Sequence, residues 1–192
     1  MGNKKESSFK NMVITLFVVT IIAGFALGGV YNATKEPIAL AKKAKAEAAI
    51  KAVIPEFDEL KTYKVMAADG SDSLIFNNGY KAGELVGTAI ESFSNMGYDP
   101  MQIRVMVGFS ADGKILNTSV VQHKETPGLG TKMKDDKFKV QFQNQDPNSF
   151  KLLVKKDGGN VDAITAATIS SRAFCDALDR AHATLKKEGG NN

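Results

Sequence analysis

The sequence is poor in the residues that build metal centres and redox-active thiol sites. Its 192 residues include one cysteine, Cys175, and two histidines, His123 and His182. A single thiol excludes an internal disulfide framework, an iron–sulfur cluster bound by this chain alone and a CxxC metal site. Two histidines give poor support for a multi-histidine metal centre, so we predict no metal ligands.

Tryptophan is absent and the charges are nearly balanced, which bears on the class of partner. The chain has 25 Lys and Arg against 21 Asp and Glu, and half of the net charge of +4 lies in the first 11 residues. A nucleic-acid-binding protein carries its basic excess on the folded part, with aromatic residues interleaved. We therefore predict no nucleic-acid partner.

A long apolar segment follows the N-terminus. Residues 12–31, MVITLFVVTIIAGFALGGVY, are 20 residues without a charge. As a helix they would span about 30 Å, the thickness of a bilayer's hydrocarbon core, so we predict one transmembrane helix. The short segment 1–11 is predicted as a cytoplasmic tail, with the rest of the chain translocated. A cleaved signal peptide is the alternative, although its apolar region normally has only about 7–15 residues.

Residues 32–60 are predicted as a juxtamembrane helix or linker. Pro37 suits the first turn of a helix, and residues 38–54 are rich in Ala and Lys up to Pro55. This pattern favours a helix separated from the apolar segment by a break near Pro37. A solvated spacer without a packing role is the alternative.

Residues 61–187 are predicted to form the folded domain, and residues 188–192 a disordered tail. Alternating residues in 102–109 and 115–122, joined by Asp112-Gly113, predict an antiparallel hairpin. Further strands are predicted at 84–93 and 150–154, and a closing helix at 169–187. The predicted fold class is α+β, a twisted antiparallel sheet flanked by helices and preceded by one transmembrane helix.

Two segments carry the residues that suit ligand chemistry. Residues 123–130, HKETPGLG, follow the hairpin, and their glycines would let backbone N–H groups approach a ligand. Residues 162–171, DAITAATISS, gather hydroxyl groups at the start of the closing helix, where a phosphate is favoured. From the residues alone, the first could equally be a ligand-free turn. The second could be a helix start capped by Thr168 or Ser170.

A family resemblance connects the two segments. Asp162–Thr168, DAITAAT, resembles the D-x-x-[ST]-[GA]-A-[ST] flavinylation motif of the FMN-binding domains in the Rnf and sodium-translocating NADH:quinone oxidoreductase complexes. Glu125–Gly130, ETPGLG, matches that family's loop in full. One departure is Ala166, where glycine is commonest. The resemblance covers most of residues 12–187, and the compact chain is more similar to the G subunit of Rnf than to the C subunit of the quinone-reducing complex.

The resemblance implies a covalent flavin site without catalytic residues. A flavin transferase would join FMN through a phosphoester to Thr168, within an FMN-binding domain at residues 61–187. Asp162 would help recognition or metal binding in the transferase, and Glu125 would orient the loop. The implied cofactor-binding residues are Thr168, Thr165 and Ile169 from the motif region, and Glu125, Thr126, Gly128 and Leu129 from the loop.

The resemblance further implies electron transfer within a membrane complex. In the Rnf family the complex couples electron transfer from ferredoxin to NAD with sodium or proton translocation. The implied partners are the A, B, C, D and E subunits of that complex and the flavin transferase. The implied location is the bacterial inner membrane, with one span and the soluble domain on the periplasmic face. Alternatives are the C subunit of the quinone-reducing complex, a stand-alone anchored flavoprotein, and a non-redox anchored binding domain.

Overall fold

The computed structural model describes residues 8–189, and the chain divides into two units, Met1–Ala44 and Lys45–Asn192. The tail predictions for residues 1–7 and 190–192 therefore lie outside the described residues. Helix α1, Phe9–Val53, begins in the first unit and ends in the second. In the described part of the chain it is the one helix whose length and composition suffice to cross a membrane.

Helix α1 continues through Pro37, so the predicted break is wrong. A proline removes one backbone donor and costs about 3 kcal/mol inside a helix. A helix of 45 residues has many other backbone hydrogen bonds on both sides of that position. The last turns of α1 are not a solvated spacer either, because Ala49, Ile50 and Val53 are buried in the second unit.

The second unit contains one five-stranded antiparallel sheet. Its strands pair in the order of the sequence, so each strand is hydrogen-bonded to its chain neighbours. The strands are β1 (Glu59–Met66), β2 (Ser73–Lys81), β3 (Glu84–Ser94), β4 (Ile103–Phe109) and β5 (Ile115–Gln122). The pairing of β4 with β5, in which Val107 lies opposite Thr118, confirms the predicted hairpin. β1 begins inside the segment predicted as linker.

Helix α3, Thr168–Gly189, covers one face of the sheet. Phe174, Leu178 and Ala181 on its apolar side are buried in the same cluster as Val105 and Val107 of β4. This burial follows from the alternation of strand side chains, which directs every second residue to one face. The α+β fold class is confirmed.

The opposite face of the sheet is covered by the end of α1. Ile50 and Ile54 form a second buried cluster with Ala89 of β3 and Met106 of β4. At Gly108 a side chain would collide with the backbone of Val53, so glycine permits this close approach. The central strands β3 and β4 are therefore buried on both faces, whereas β1 at the edge is largely exposed.

The long connection between β5 and α3 consists of short helices and turns. It contains the 3-10 helices Gly130–Lys134, Val140–Phe142 and Lys155–Asp157, and α2, Asp136–Lys139. The strand predicted at 150–154 is wrong, because this stretch contributes only an isolated bridge between Val154 and Val161. Leu152 and Val154 are nevertheless buried, so their apolar character reflects core packing rather than a strand.

Candidate functional site

A buried carboxylate joins three segments that are distant in the sequence. Glu125 is only 4% exposed. Its Oε1 accepts hydrogen bonds from the backbone N–H groups of Tyr98 at 2.9 Å and Asp99 at 3.4 Å. Its Oε2 accepts a hydrogen bond from the hydroxyl of Ser170 in the first turn of α3. Glu125 thus ties the β3–β4 connection and the start of α3 to the loop that contains it.

The loop packs tightly against that network. A Cβ atom at Gly130 would lie 2.7 Å from both Cβ and Oε2 of Glu125, and would also collide with the hydroxyl of Ser170. Gly128 is needed for another reason, because its φ of +75° is a left-handed conformation that favours glycine. The loop therefore takes its shape from one close approach and one unusual backbone angle.

The motif segment is held by its own hydrogen bonds. The N–H of Ile164 donates to the Ser171 hydroxyl at 2.9 Å, and that hydroxyl donates to the Ala167 carbonyl at 3.0 Å. Between them, Ala166 has a φ of +59°, in the left-handed region. A glycine would adopt this angle without a steric penalty.

Helix α3 begins at Thr168, and neither residue predicted as its cap serves as one. Thr168 is the first helical residue, whereas the Ser170 hydroxyl donates to Glu125. The first i to i−4 hydrogen bond runs from the Ser171 N–H to the Ala167 carbonyl, 3.1 Å away. The N–H groups of Thr168, Ile169 and Ser170 precede that bond and have no helical partner, so they give this end a partial positive charge.

A cavity of about 590 Å³ lies between the loop and the start of α3. Glu125, Thr126 and Leu129 line it from the loop, and Thr168 and Ile169 line it from the helix. Leu129 and Ile169 are exposed, so the opening has apolar side chains on both sides. The structure thus brings together five of the seven residues proposed from the sequence.

The other two residues, Thr165 and Gly128, do not line this cavity. Thr165 is exposed and faces a second cavity of about 600 Å³, which Lys132, Lys137 and Asp162 also line. The N–H of Gly128 donates to the Thr131 hydroxyl at 2.9 Å. The two threonines of the motif therefore lie against different cavities.

Tyr98 and Ser170 have polar side chains on the cavity wall but are not among the seven residues predicted from the sequence. Tyr98 lines the cavity from the β3–β4 connection, and its side chain is largely exposed. Ser170 also lines it, through the hydroxyl that donates to Glu125. An aromatic residue among the turn-forming residues 95–100 was the available signal for Tyr98. Nothing in the local pattern indicates that Tyr98 lies beside Glu125.

Two ionisable groups outside the cavity lining, His123 and Asp157, have shifted pKa values. Burial, together with Lys134 and Lys45, lowers the pKa of His123, whose Nδ1 accepts the Glu125 N–H at 3.1 Å. Arg172 in α3 forms two hydrogen bonds to Asp157, at 2.6 and 2.8 Å, which lower the pKa of that carboxyl.

The single thiol takes no part in the site. Cys175 is a residue of α3 and is buried in the core. Burial raises the pKa of Cys175 to about 12, so the thiol stays protonated at neutral pH.

Comparison with known proteins finds a matching domain family and relatives of similar length. A family model described as an FMN-binding domain matches residues 97–183, which include the cavity. The G subunit of an ion-translocating oxidoreductase complex from Methanosarcina acetivorans is 31% identical, over 94% of this chain and 95% of the relative. The chain belongs to the family of G subunits of ion-translocating oxidoreductase complexes. It is therefore a member of a family of oxidoreductase subunits, as the sequence motifs predicted.

Two further proteins are similar. The corresponding G subunit from Pseudoalteromonas atlantica is 31% identical over 91% of this chain and 86% of the relative. The crystal structure of Shewanella oneidensis NqrC has a TM-score of 0.45 and 22% identity, and the match covers 69% of this chain and 65% of that one. A structural similarity of this size adds nothing to the family assignment.

The residues around the cavity fit an FMN group. The volume of about 590 Å³ lies in the range of small-molecule sites, about 300–1,000 Å³. Leu129, Ile169 and Tyr98 offer apolar surface for a flat ring, and Thr168 offers a hydroxyl oxygen at the helix end. A helix start stabilises a phosphate through its free N–H groups and its dipole.

Proposed function

We propose that this chain is an electron-carrying subunit of an ion-translocating membrane complex, with FMN joined to Thr168 by a phosphoester. The proposal is supported by the family assignment, the FMN-binding match and the cavity beside Thr168. When bound, FMN accepts and donates electrons, and the protein supplies binding, orientation and electrostatics. A covalent bond keeps the group on the chain, which suits a carrier between neighbouring subunits.

Thr168 is the proposed attachment residue because of its position. It is half-buried, starts α3, and contributes to the cavity that Glu125, Leu129 and Ile169 also line. In the transfer, its Oγ1 would form a bond to the phosphorus of the transferase's flavin nucleotide donor and lose its proton, while the bond from that phosphorus to the donor's leaving group breaks and the leaving group departs with the electron pair. The negative charge of the resulting phosphodiester would lie at the positive end of α3. Thr165 also has a hydroxyl, but it faces the other cavity.

The proposed surroundings of FMN follow from the lining residues. Leu129 and Ile169 would contact the ring, and Thr126 would bond its polar edge. Gly128 has a structural role in this proposal, because its N–H is used within the loop. Thr165 and Asp162 line the second cavity, where the flavin transferase would recognise them during maturation.

The proposed setting is the bacterial inner membrane. The apolar part of α1 would form a single span, and the domain that begins at Lys45 would lie on the periplasmic side. The partners would be the A, B, C, D and E subunits of Rnf, and the complex would couple ferredoxin:NAD electron transfer to sodium or proton translocation. Other subunits must bind NAD and ferredoxin, because this chain lacks a dinucleotide motif and cluster-binding cysteines.

Intact mass spectrometry tests the attachment site. The full chain is co-expressed with a flavin transferase, as wild type, as Thr168→Ala and as the matched control Thr165→Ala. We expect wild type to gain the mass of one FMN less one water, and Thr168→Ala to gain nothing because it has no oxygen to bond. Thr165→Ala keeps the acceptor oxygen and is expected to retain some flavinylation.

Peptide mapping completes this test. The added mass should lie on the peptide that contains Thr168, and the denatured protein should keep its yellow fluorescence. Flavin on Thr168→Ala, or a bare wild-type chain made alongside an active transferase, would refute the proposal. Purification of the native chain from membranes with or without other redox subunits separates a complex subunit from a stand-alone flavoprotein.

A further inference from the structure

We propose that the buried carboxylate of Glu125 holds the reduction potential of the flavin low by placing an uncompensated negative charge on the wall of the cavity. The inference rests on the proposed function, because it concerns the group that Thr168 would carry. It gives Glu125 an electrostatic role beyond the orientation of the loop.

The first observation is the isolation of this charge. Among the residues that line the 590 Å³ cavity in the described part of the chain, Glu125 is the only one with a formally charged side chain. None of the ion pairs within residues 8–189 includes Glu125. The imidazole of His123 interacts electrostatically with Glu125, but burial lowers the pKa of His123, so it is mostly neutral at pH 7. The three hydrogen-bond donors to Glu125, the Tyr98 and Asp99 N–H groups and the Ser170 hydroxyl, are all neutral.

The second observation is the direction of those hydrogen bonds. Two N–H groups point at Oε1, and the Ser170 hydroxyl points at Oε2. An ionised carboxylate accepts hydrogen bonds at both oxygens, whereas a protonated one needs an acceptor for its own hydrogen. The two N–H groups make Oε1 an acceptor, and the Ser170 hydroxyl can donate to Oε2, so all three contacts can be made to a carboxylate.

The third observation is burial, which determines how strongly the charge acts. Glu125 is 4% exposed, so little water lies around its carboxylate to screen it. Charges interact more strongly at the lower effective dielectric constant of a protein interior than in water. A group that takes up an electron in this cavity gains negative charge, and the Glu125 carboxylate opposes that change. The Glu125 carboxylate therefore lowers the reduction potential of that group.

The start of α3 acts in the opposite direction. Its unpaired N–H groups carry a partial positive charge of about half a unit, which is offset by the phosphodiester charge proposed at Thr168. This partial charge is smaller than the full charge of Glu125. The net effect expected from Glu125 is therefore to disfavour reduction.

The experiment measures the midpoint potential of the covalently loaded full chain by spectroelectrochemical titration. Glu125→Gln removes the charge but keeps the shape, because its amide oxygen can accept the Tyr98 N–H and its amide nitrogen can donate to Ser170. We expect its midpoint to lie above that of wild type. Ser170→Ala removes one hydrogen bond and keeps the charge, so its midpoint should not rise. Asp179→Asn removes an exposed charge about 16 Å from Thr168 along α3 and should cause no shift.

Two further variants keep the inference falsifiable. Glu125→Ala also removes the charge. The midpoint potential of whichever neutral variant folds therefore shows whether loss of the charge raises the potential. Glu125→Asp keeps the charge on a shorter side chain, and its midpoint should stay nearer to wild type than that of Glu125→Gln. An unchanged midpoint in the neutral variant, or equal rises in Glu125→Gln and Ser170→Ala, would overturn the electrostatic role. Wild type without flavin would refute the proposed function, and the inference with it.

Discussion

Replacing Gly130 by alanine should disrupt the site for a purely steric reason. A Cβ atom there would lie 2.7 Å from two atoms of Glu125 and would collide with the Ser170 hydroxyl. The φ of Gly130 is outside the left-handed region, so the substitution causes no intrinsic backbone penalty. The loop must therefore move away, or the Glu125–Ser170 hydrogen bond must break.

The magnitude follows from these two consequences. Overpacking of a well-packed site costs about 1–3 kcal/mol. Loss of a hydrogen bond to a charged group costs about 1.5–3 kcal/mol. Because movement of the loop relieves part of the collision, the two costs do not add fully, and we expect a destabilisation of about 2–4 kcal/mol. For a chain of this size each kcal/mol lowers the melting temperature by about 2–4 °C.

Thermal unfolding of the purified full chain, followed by circular dichroism, measures this loss. Gly128→Ala is the matched control, because a side chain there would contact nothing within 4 Å. Its only cost is the strain of placing alanine at a φ of +75°. That conformational cost is about 1–2 kcal/mol. Ser170→Ala should partly rescue Gly130→Ala by making space for the new methyl group. The reasoning is refuted if Gly130→Ala is milder than Gly128→Ala, or if Ser170→Ala gives no rescue.

Two further changes test the motif and the loop. Ala166→Gly should raise the melting temperature, because a φ of +59° costs alanine about 1–2 kcal/mol, partly offset by the flexibility of glycine in the unfolded chain. The pKa of His123 is lowered in the folded chain, so the unfolded chain, with a histidine pKa of about 6.5, binds the proton more readily. The free energy of unfolding should therefore fall as the pH drops below about 6.5 towards the folded pKa. His123→Asn, which keeps an acceptor for the Glu125 N–H, should reduce that loss in urea titrations between pH 8 and 5.

The outcomes that contradict these two predictions are specific. A lower melting temperature for Ala166→Gly would mean that the alanine methyl group contributes packing that outweighs its backbone penalty. If the pH dependence of stability is unchanged in His123→Asn, a group other than His123 causes the loss of stability in acid. His182 is the alternative, because burial lowers its pKa as well.

Features that depend on neighbouring residues could be read from the sequence. The alternation in 102–109 and 115–122 predicted the β4–β5 hairpin because strand side chains point to opposite faces in turn. The 20-residue apolar run predicted a helix long enough to cross a membrane. Glu125–Gly130 and Asp162–Thr168 indicated the family through residue identity alone. In each case the information lies within one short segment.

Features that depend on distant residues were decided by the tertiary structure. The Ser170–Glu125 hydrogen bond joins positions 45 residues apart, and the Tyr98–Glu125 bond joins positions 27 apart. No local pattern specifies which loops meet at the end of a sheet. Residues 150–154 look like a strand because apolar residues there serve the core, and periodicity does not distinguish the two causes.

The clearest example is the difference between the two threonines of the motif. Thr165 and Thr168 have the same chemistry and lie three positions apart, yet they line different cavities. The left-handed backbone at Ala166 turns the chain between them, and helix α3 begins immediately afterwards. The sequence by itself determined that a hydroxyl group stands in this segment. Only the folded backbone placed Thr168, and not Thr165, on the same cavity as Glu125.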